Sequence, residues 1–175
     1  MPLDTPSTVL VHLSLIPQPF LTNYMCLNPR ILLIEDNPDD VVSLCLALEE
    51  SVPNVRLAVV NDQSGLVNYL RHIEQDNHQV PWLIFLDMDF PDSVDGSRAI
   101  SQLQSYFLTS SRRSIPVIAM SSSTSLADVR ELQKAGANAY LIKSDNFQQL
   151  VDDCRNIARH WFKTVLLPPD SPDYN

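Results

Sequence analysis

Five short apolar runs recur along this 175-residue chain, separated by segments with the periodicity of amphipathic helices. The runs are ILLI at 31–34, VRLAVV at 55–60, WLIFL at 82–86, PVIAM at 116–120 and AYLI at 139–142. Four runs are continuously apolar, which is typical of parallel strands covered on both faces, whereas Arg56 interrupts the second run and places it nearer an edge. Five strand–helix units in succession predict an α/β fold with a five-stranded parallel sheet.

Apolar residues three and four positions apart mark the helical segments. The first contains Val41, Leu44, Cys45 and Leu48, and the last contains Phe147, Leu150, Val151, Cys154, Ala158, Trp161, Phe162 and Val165. Weaker patterns lie between them at 66–73, 100–107 and 126–132. Asn37 and Pro38 match the N-cap and first residue of the first helix, and Ser144 with Asp145 is predicted to open the last one. We expect a flavodoxin-like, doubly wound (βα)5 sandwich of three layers with strand order 2-1-3-4-5.

Composition fits one globular domain and narrows the classes of partner. Hydrophobic residues make up 45% of the chain, charged residues make up 19%, and the formal net charge is −9. This charge repels nucleic acid and anionic membranes, and no apolar run approaches the roughly 20 residues of a membrane span, so we expect neither partner. The three cysteines, Cys26, Cys45 and Cys154, are widely spaced and indicate reduced thiols in a cytoplasmic protein. We assign residues 1–28 to an N-terminal extension of uncertain order, 29–164 to the domain and 165–175 to a tail.

Polar side chains follow or end four of the predicted strands. Glu35 and Asp36 follow strand 1, Asp87 follows strand 3, Ser121 ends strand 4 and Lys143 follows strand 5. In an open parallel sheet, ligands bind beyond the carboxyl ends of the strands, at the point where the strand order reverses. The five residues are therefore predicted to share one rim of the sheet, although more than a hundred positions separate the first from the last.

This combination has a coherent chemistry. Clustered carboxylates repel one another, and a hard divalent cation such as Mg²⁺ relieves that repulsion. Asp87 lies nearest the centre of the sheet, so it is the best candidate for a nucleophile that attacks phosphorus to give an acyl phosphate. The metal, Lys143 and the Ser121 hydroxyl would then hold the phosphoryl oxygens.

Most of these residues have a plainer interpretation when taken singly. Asn37 can simply cap the first helix, and Asp39 and Asp40 are interpreted as acids that only complement its dipole. Lys143 alone resembles a solvated surface charge, and Tyr140 alone resembles a core residue. Their coincidence on one rim favours a functional site.

Four segments together resemble the receiver domain of two-component response regulators, over roughly residues 30–163. They are IEDNPDD at 34–40, LDMDFPD at 86–92, VIAMSSS at 117–123 and GANAYLIKS at 136–144. The resemblance implies that Asp87 accepts a phosphoryl group from a sensor histidine kinase. It also implies a Mg²⁺ site made by Asp36 and Asp87, with Glu35 assisting through water and Asp89 supplying its backbone carbonyl.

The same resemblance implies a conformational switch. Ser121 would move towards the phosphoryl group and Lys143 would pair with it. Tyr140 would then rotate inward and remodel the surface formed by helix 4, strand 5 and helix 5. The expected protein is a stand-alone receiver that signals through another protein or through self-association, and it is not expected to be an enzyme beyond its own phosphorylation chemistry.

Two positions depart from the family pattern. Ser144 follows Lys143 where the family has a proline joined by a cis bond, and a cis bond before a non-proline residue costs about 2.5–4 kcal/mol. We therefore expect a trans bond there and a different placement of Lys143. Gly96 lies one residue later than usual, so the loop 91–96 is expected to contain an insertion.

The C-terminal segment has a further resemblance. RHWFKTVLLPPD at 159–170 is similar to the extension of small cyanobacterial-type regulators that work with phytochrome kinases and dimerise through the helix 4–strand 5–helix 5 face. Trp161 and Phe162 fit an interface, where aromatic anchors are common, and fit equally well as residues that cover the core.

Two other functions match parts of the sequence. LDMDF also resembles the D-x-D opening of haloacid-dehalogenase-type phosphatases, in which Asp87 would be the nucleophile and Asp89 the general acid. Two strand–helix units precede the motif here, however, and the acidic pair after strand 1 would have no role. A degenerate receiver that acts as a constitutive binding module is the other alternative, and the two departures described above are its basis.

Overall fold

The strands form one parallel sheet in a computed structural model that describes residues 28–76, 80–88, 96–109 and 115–164. The strands are Arg30–Ile34 (β1), Arg56–Val60 (β2), Leu83–Asp87 (β3), Val117–Ser121 (β4) and Ala139–Ile142 (β5). Their order is β2-β1-β3-β4-β5, and each adjacent pair is parallel. The predicted fold class and strand order are confirmed, and the strand that contains Arg56 lies at an edge.

Helices follow the strands in alternation. They are Pro38–Ser51 (α1), Gln63–Gln75 (α2), Gly96–Thr109 (α3), Leu126–Ala135 (α4) and Phe147–Arg159 (α5), and the turn of π-helix His160–Thr164 continues α5. The start of α1 is as predicted, because Asn37 Oδ1 accepts a hydrogen bond of 3.0 Å from the Asp39 N–H and Pro38 is the first helical residue.

The start of α5 differs from the prediction. Asn146 is the N-cap, with its Oδ1 accepting a hydrogen bond of 3.1 Å from the Gln149 N–H. Ser144 instead accepts a hydrogen bond of 3.1 Å from the Asn146 N–H through its Oγ, which forms the turn before the helix. Serine, aspartate and asparagine are all good caps, so residue type alone does not choose among these neighbours.

The sheet has a separate hydrophobic core on each face. Alternate residues of a strand point to opposite faces, and both sets are buried here. Leu33 and Phe85 pack in the core formed with α1 and α5, whereas Ile34 and Leu86 pack in the core formed with α2, α3 and α4. The three-layer sandwich is therefore confirmed, and the continuous apolar runs have the burial that they predict.

The aromatic residues of the last helical segment have different environments. Phe162 is 6% exposed and belongs to the core formed with α1 and α5, and the half-buried Trp161 packs against that core. Phe162 therefore covers the core and is not available as an interface anchor. Phe147, predicted on the buried stripe, is 43% exposed because it is the first residue of α5 and borders a surface cavity.

Gly136 turns the chain from α4 into β5 and so helps to position the last strand. Its φ of 108° is in the left-handed region, and its N–H donates to the Leu132 and Gln133 carbonyls at the helix end. A Cβ added at this residue would lie 3.2 Å from Gln104 Cγ, so the site suits glycine in both conformation and space.

Some predictions concern residues outside the described ranges. They fall on Cys26, Val165, Asp89, the insertion in the loop 91–96, and most of the extension 1–28 and the tail 165–175. The proposed domain bounds therefore stay a prediction. Within the ranges that are described, none of the helices has the length and apolar character needed to cross a membrane.

Candidate functional site

Three carboxylates meet at the carboxyl ends of β1 and β3. One oxygen of each of Glu35, Asp36 and Asp87 lies within 4.8 Å of the other two. Glu35 is 0% exposed and Asp87 is 2% exposed, whereas Asp36 is exposed to solvent. The sheet brings these residues together because β1 and β3 are neighbours, with Ile34 paired to Leu86 at their ends. The predicted acidic cluster is therefore present.

Lys143 joins this cluster from the loop after β5. Its Nζ lies 2.8 Å from Glu35 Oε2, 2.7 Å from Asp40 Oδ2 and 2.9 Å from Asp87 Oδ1. Burial lowers the pKa of the lysine, but the carboxylates of Asp40, Glu35 and Asp87 outweigh it and raise the pKa above its usual range. Lys143 is therefore a charged member of the site and not a solvated surface residue.

The serine that follows Lys143 does not keep the ammonium away from the cluster. No peptide bond in the described residues is cis, so the bond between Lys143 and Ser144 is trans, as its sequence predicts. The ammonium still lies 2.9 Å from the Asp87 carboxylate. The four-carbon side chain is long enough to reach the rim from this backbone.

Asp40 is a site residue that sequence reasoning missed. It was interpreted only as a charge that complements the α1 dipole, yet its Oδ2 accepts a hydrogen bond of 2.7 Å from Lys143 Nζ. Its position one helical turn after the N-cap Asn37, at the end of α1 nearest the strand ends, is the sequence feature that points to this contact. The contact joins residues 103 positions apart, so local spacing does not reveal it.

The electrostatics of the cluster favour a bound cation. Burial raises the pKa of Glu35 and the nearby Asp87 adds to the effect, although Lys143 and the Asn37 N–H oppose it. Asp87 Oδ1 is buried and lies 2.9 Å from Lys143 Nζ, with which it forms an ion pair. Three carboxylates with oxygens within 4.8 Å of one another fit a metal site, because hard oxygen donors suit Mg²⁺ or Mn²⁺. Glu35, Asp36 and Asp87 are the residues that would hold it.

Ser121 and Tyr140 are both connected to Ser123, in the loop between β4 and α4. The Ser121 Oγ accepts a hydrogen bond of 3.1 Å from the Ser123 N–H, and the Tyr140 hydroxyl donates one of 2.7 Å to the Ser123 carbonyl. The Ser123 hydroxyl donates to Asp128 Oδ2 at 2.7 Å and so ties the loop to the first turn of α4. Ser121, Tyr140 and the first turn of α4 are therefore all hydrogen-bonded to one residue.

A cavity of about 250 Å³ lies beside Lys143, between α1 and the loop that leads into α5. Leu44, Met120, Leu141 and Leu150 give it an apolar lining, while Asp40 and Lys143 are among its polar residues. The Asp40–Lys143 ion pair therefore borders this cavity.

A family model for the response regulator receiver domain matches residues 31–155. The chain belongs to the response regulator receiver family. Its sheet order and helices agree with those of solved response regulators, and the two-component receiver assignment follows from the match. This assignment favours the receiver over the phosphatase alternative.

The chain matches most of the length of several relatives. The "Probable methanogenesis regulatory protein FilR2" of Methanothrix harundinacea is 31% identical over 75% of this chain and 82% of its own length. Response regulator Rcp1 of Synechocystis is 29% identical over 79% of this chain and 92% of its own length, and its Mn²⁺-bound crystal structure aligns with a TM-score of 0.64. The phosphorylated cyanobacterial phytochrome response regulator RcpA is 31% identical, with a TM-score of 0.68 over 82% of this chain and 100% of that structure.

Proposed function

We propose that Asp87 accepts a phosphoryl group from a sensor histidine kinase in a Mg²⁺-dependent reaction, and that the receiver signals by changing its interaction surface. The observation that supports this most directly is the Asp87 carboxylate itself, which is buried, lies 2.9 Å from Lys143 Nζ and has Glu35 and Asp36 oxygens within 4.8 Å. A solved relative, RcpA, is a phosphorylated protein, which is consistent with the proposal.

The transfer step forms one bond to phosphorus and breaks another. A carboxylate oxygen of Asp87 attacks the phosphorus of a phosphohistidine, the P–N bond breaks, and the departing imidazole takes up a proton from solvent. The product is an acyl phosphate on Asp87. Lys143 pairs with the phosphoryl oxygens that the reaction brings to it, and the Ser121 hydroxyl donates a hydrogen bond to them.

A divalent cation, when bound, neutralises the charge of the phosphoryl oxygens and of the carboxylates. Glu35, Asp36 and Asp87 supply oxygen ligands of the type that Mg²⁺ prefers. Rcp1 has been solved with Mn²⁺ bound, and this ion takes the same class of oxygen ligands. These observations support Mg²⁺ as the cofactor of this chain.

The output would arise at the face formed by α4, β5 and α5, through which we propose that the receiver forms a homodimer. Ile142 is 47% exposed at the end of β5, which leaves apolar surface there for a partner. Tyr140 connects this face to Ser121 through the Ser123 carbonyl. The similarity to Rcp1 and RcpA supports a kinase of the phytochrome type as the phosphodonor.

The first test is the intact mass of the protein after incubation with Mg²⁺ and acetyl phosphate. Wild type is expected to gain one phosphoryl group that is stable in acid and lost in base, as an acyl phosphate is, and to gain none when EDTA removes the metal. A wild-type protein that gains no phosphoryl group and does not bind Mg²⁺ would instead support the degenerate, constitutive binding module.

Mg²⁺ is also expected to stabilise the fold, because it binds the native carboxylate cluster and not the unfolded chain. Saturation at ten times Kd adds about 1.4 kcal/mol to the free energy of unfolding, and a hundred times Kd adds about 2.7 kcal/mol. Asp36→Asn removes one ligand and should lose most of this gain in a thermal-unfolding titration. Asp39→Asn, an exposed acid of the same segment, should keep it. Equal gains in both variants would exclude Asp36 as a ligand.

A further inference from the structure

The Lys143 ammonium is shared among three carboxylates, of which the proposed phosphoacceptor is one. Nζ donates to Glu35 Oε2 at 2.8 Å and to Asp40 Oδ2 at 2.7 Å. It also lies 2.9 Å from Asp87 Oδ1, in a third ion pair. Before phosphorylation, therefore, Glu35 and Asp40 compete with Asp87 for the cation that the phosphoryl group requires.

We propose that Asp40 is a positioning residue that competes with the phosphoryl group for Lys143. In this inference, which rests on the proposed function, a phosphoryl group on Asp87 draws the ammonium away from Asp40. The Lys143–Asp40 ion pair is lost as the Lys143–phosphoryl pair forms. Asp40 thereby lowers the affinity of the site for a phosphoryl group.

Asp40 is the carboxylate from which Lys143 can separate at the smaller cost. Glu35 is fully buried, so the loss of its cation would leave an unpaired charge away from water. The Asp40 side chain is 38% exposed, so water can replace the ammonium at its oxygens.

The contacts of the ammonium indicate that a test should change the charge of the side chain at position 40 and keep its size. An ammonium has three N–H donors, and three carboxylates already surround this one. A phosphoryl group adds further oxygens with about two negative charges, so the partners must redistribute. A neutral amide at position 40 keeps the size of the side chain but holds the ammonium much less strongly.

The test measures binding of beryllium trifluoride, which mimics a phosphoryl group on a carboxylate, at saturating Mg²⁺ in the full chain. Asp40→Asn is expected to bind it about threefold more tightly than wild type, an effect that a partly exposed ion pair can supply. Asp39→Asn is the matched control, because it removes the same charge from the same helical turn and Asp39 makes no ion pair with Lys143 in the described structure. Asp40→Ser should behave as Asp40→Asn does.

A second measurement separates failure of this inference from failure of the proposed function. In NMR spectra without beryllium trifluoride, the Lys143 ammonium signal should be protected from exchange in wild type and Asp39→Asn, and shifted or lost in Asp40→Asn. If wild type binds beryllium trifluoride but Asp40→Asn binds it no more tightly, the competition is overturned. If wild type shows the protected ammonium and binds no beryllium trifluoride, the phosphoacceptor role of Asp87 is overturned, and the competition with it.

Discussion

Replacement of Asp87 by asparagine is expected to abolish phosphorylation completely. The amide has nearly the shape of the carboxylate but lacks the anionic oxygen that attacks phosphorus. Intact mass after incubation with acetyl phosphate and Mg²⁺ should therefore show no gain in this variant under conditions in which the wild type is modified. Peptide mapping of the wild-type protein should place the modification on the peptide that contains Asp87.

The loss should not be a consequence of unfolding. The substitution removes one ion pair with Lys143 but also removes one of the carboxylates that repel one another, so we expect the unfolding free energy without metal to change by less than about 1 kcal/mol. Asp62→Asn is the control, because Asp62 caps α2 through a hydrogen bond to the Gly65 N–H and asparagine caps equally well. It should be phosphorylated normally. A full phosphoryl gain in Asp87→Asn would place the acceptor on another residue.

Replacement of Lys143 by methionine is expected to have the largest effect on stability. The substitution removes the cation that lies within 2.9 Å of three carboxylates, one of which, Glu35, is fully buried. Loss of one partner of a buried charge pair leaves the other uncompensated, and we expect the free energy of unfolding without metal to fall by about 3 kcal/mol. Urea denaturation should show the loss, and Mg²⁺ should restore part of it because it neutralises the same carboxylates.

The deficit of this variant should depend on pH. Burial already raises the pKa of Glu35, and loss of the ammonium raises that pKa further. A carboxyl group with a raised folded-state pKa stabilises the fold below its unfolded pKa, and this contribution is lost as pH rises through the folded pKa. The deficit should therefore be smaller at about pH 5 than at about pH 8.

Lys134→Met is the matched control for this prediction. Lys134 is exposed in the last turn of α4, where its charge complements the helix dipole, so its replacement should cost no more than about 1 kcal/mol. Equal losses in the two variants, or a loss that Mg²⁺ does not reduce, would contradict the role of Lys143 in neutralising the carboxylate cluster.

Much of the fold can be predicted because its main determinants are local. Continuous apolar runs indicate strands that are covered on both faces, and Arg56 correctly marks the edge strand β2. The start of α1 follows from Asn37 and Pro38. The start of α5 does not, because Ser144, Asp145 and Asn146 are all capable caps and hydrogen bonds that depend on the final backbone choose among them.

The candidate site also contains some residues that the sequence predicts and others that it does not. Residues at the carboxyl ends of parallel strands must share one rim, so the order of the strands is enough to predict that Glu35, Asp87 and Lys143 come together. Asp40 cannot be added by this rule, because its contact depends on how far a lysine side chain reaches from β5 towards α1. The same holds for Phe162, since packing against α1 and α5 decides that it belongs to the core and not to an interface.

The place of each strand in the sheet determines how often its backbone opens to solvent. β3, which ends at Asp87, has a neighbour on both sides and is buried along its whole length, whereas β5 pairs only with β4 in the described structure and is partly exposed. Backbone that is buried and paired on both sides opens to hydrogen exchange only with the whole domain, while an edge strand opens locally at lower cost. We therefore expect β5, which contains Tyr140 and leads to Lys143, to open locally many times for each opening of β3, which carries Asp87.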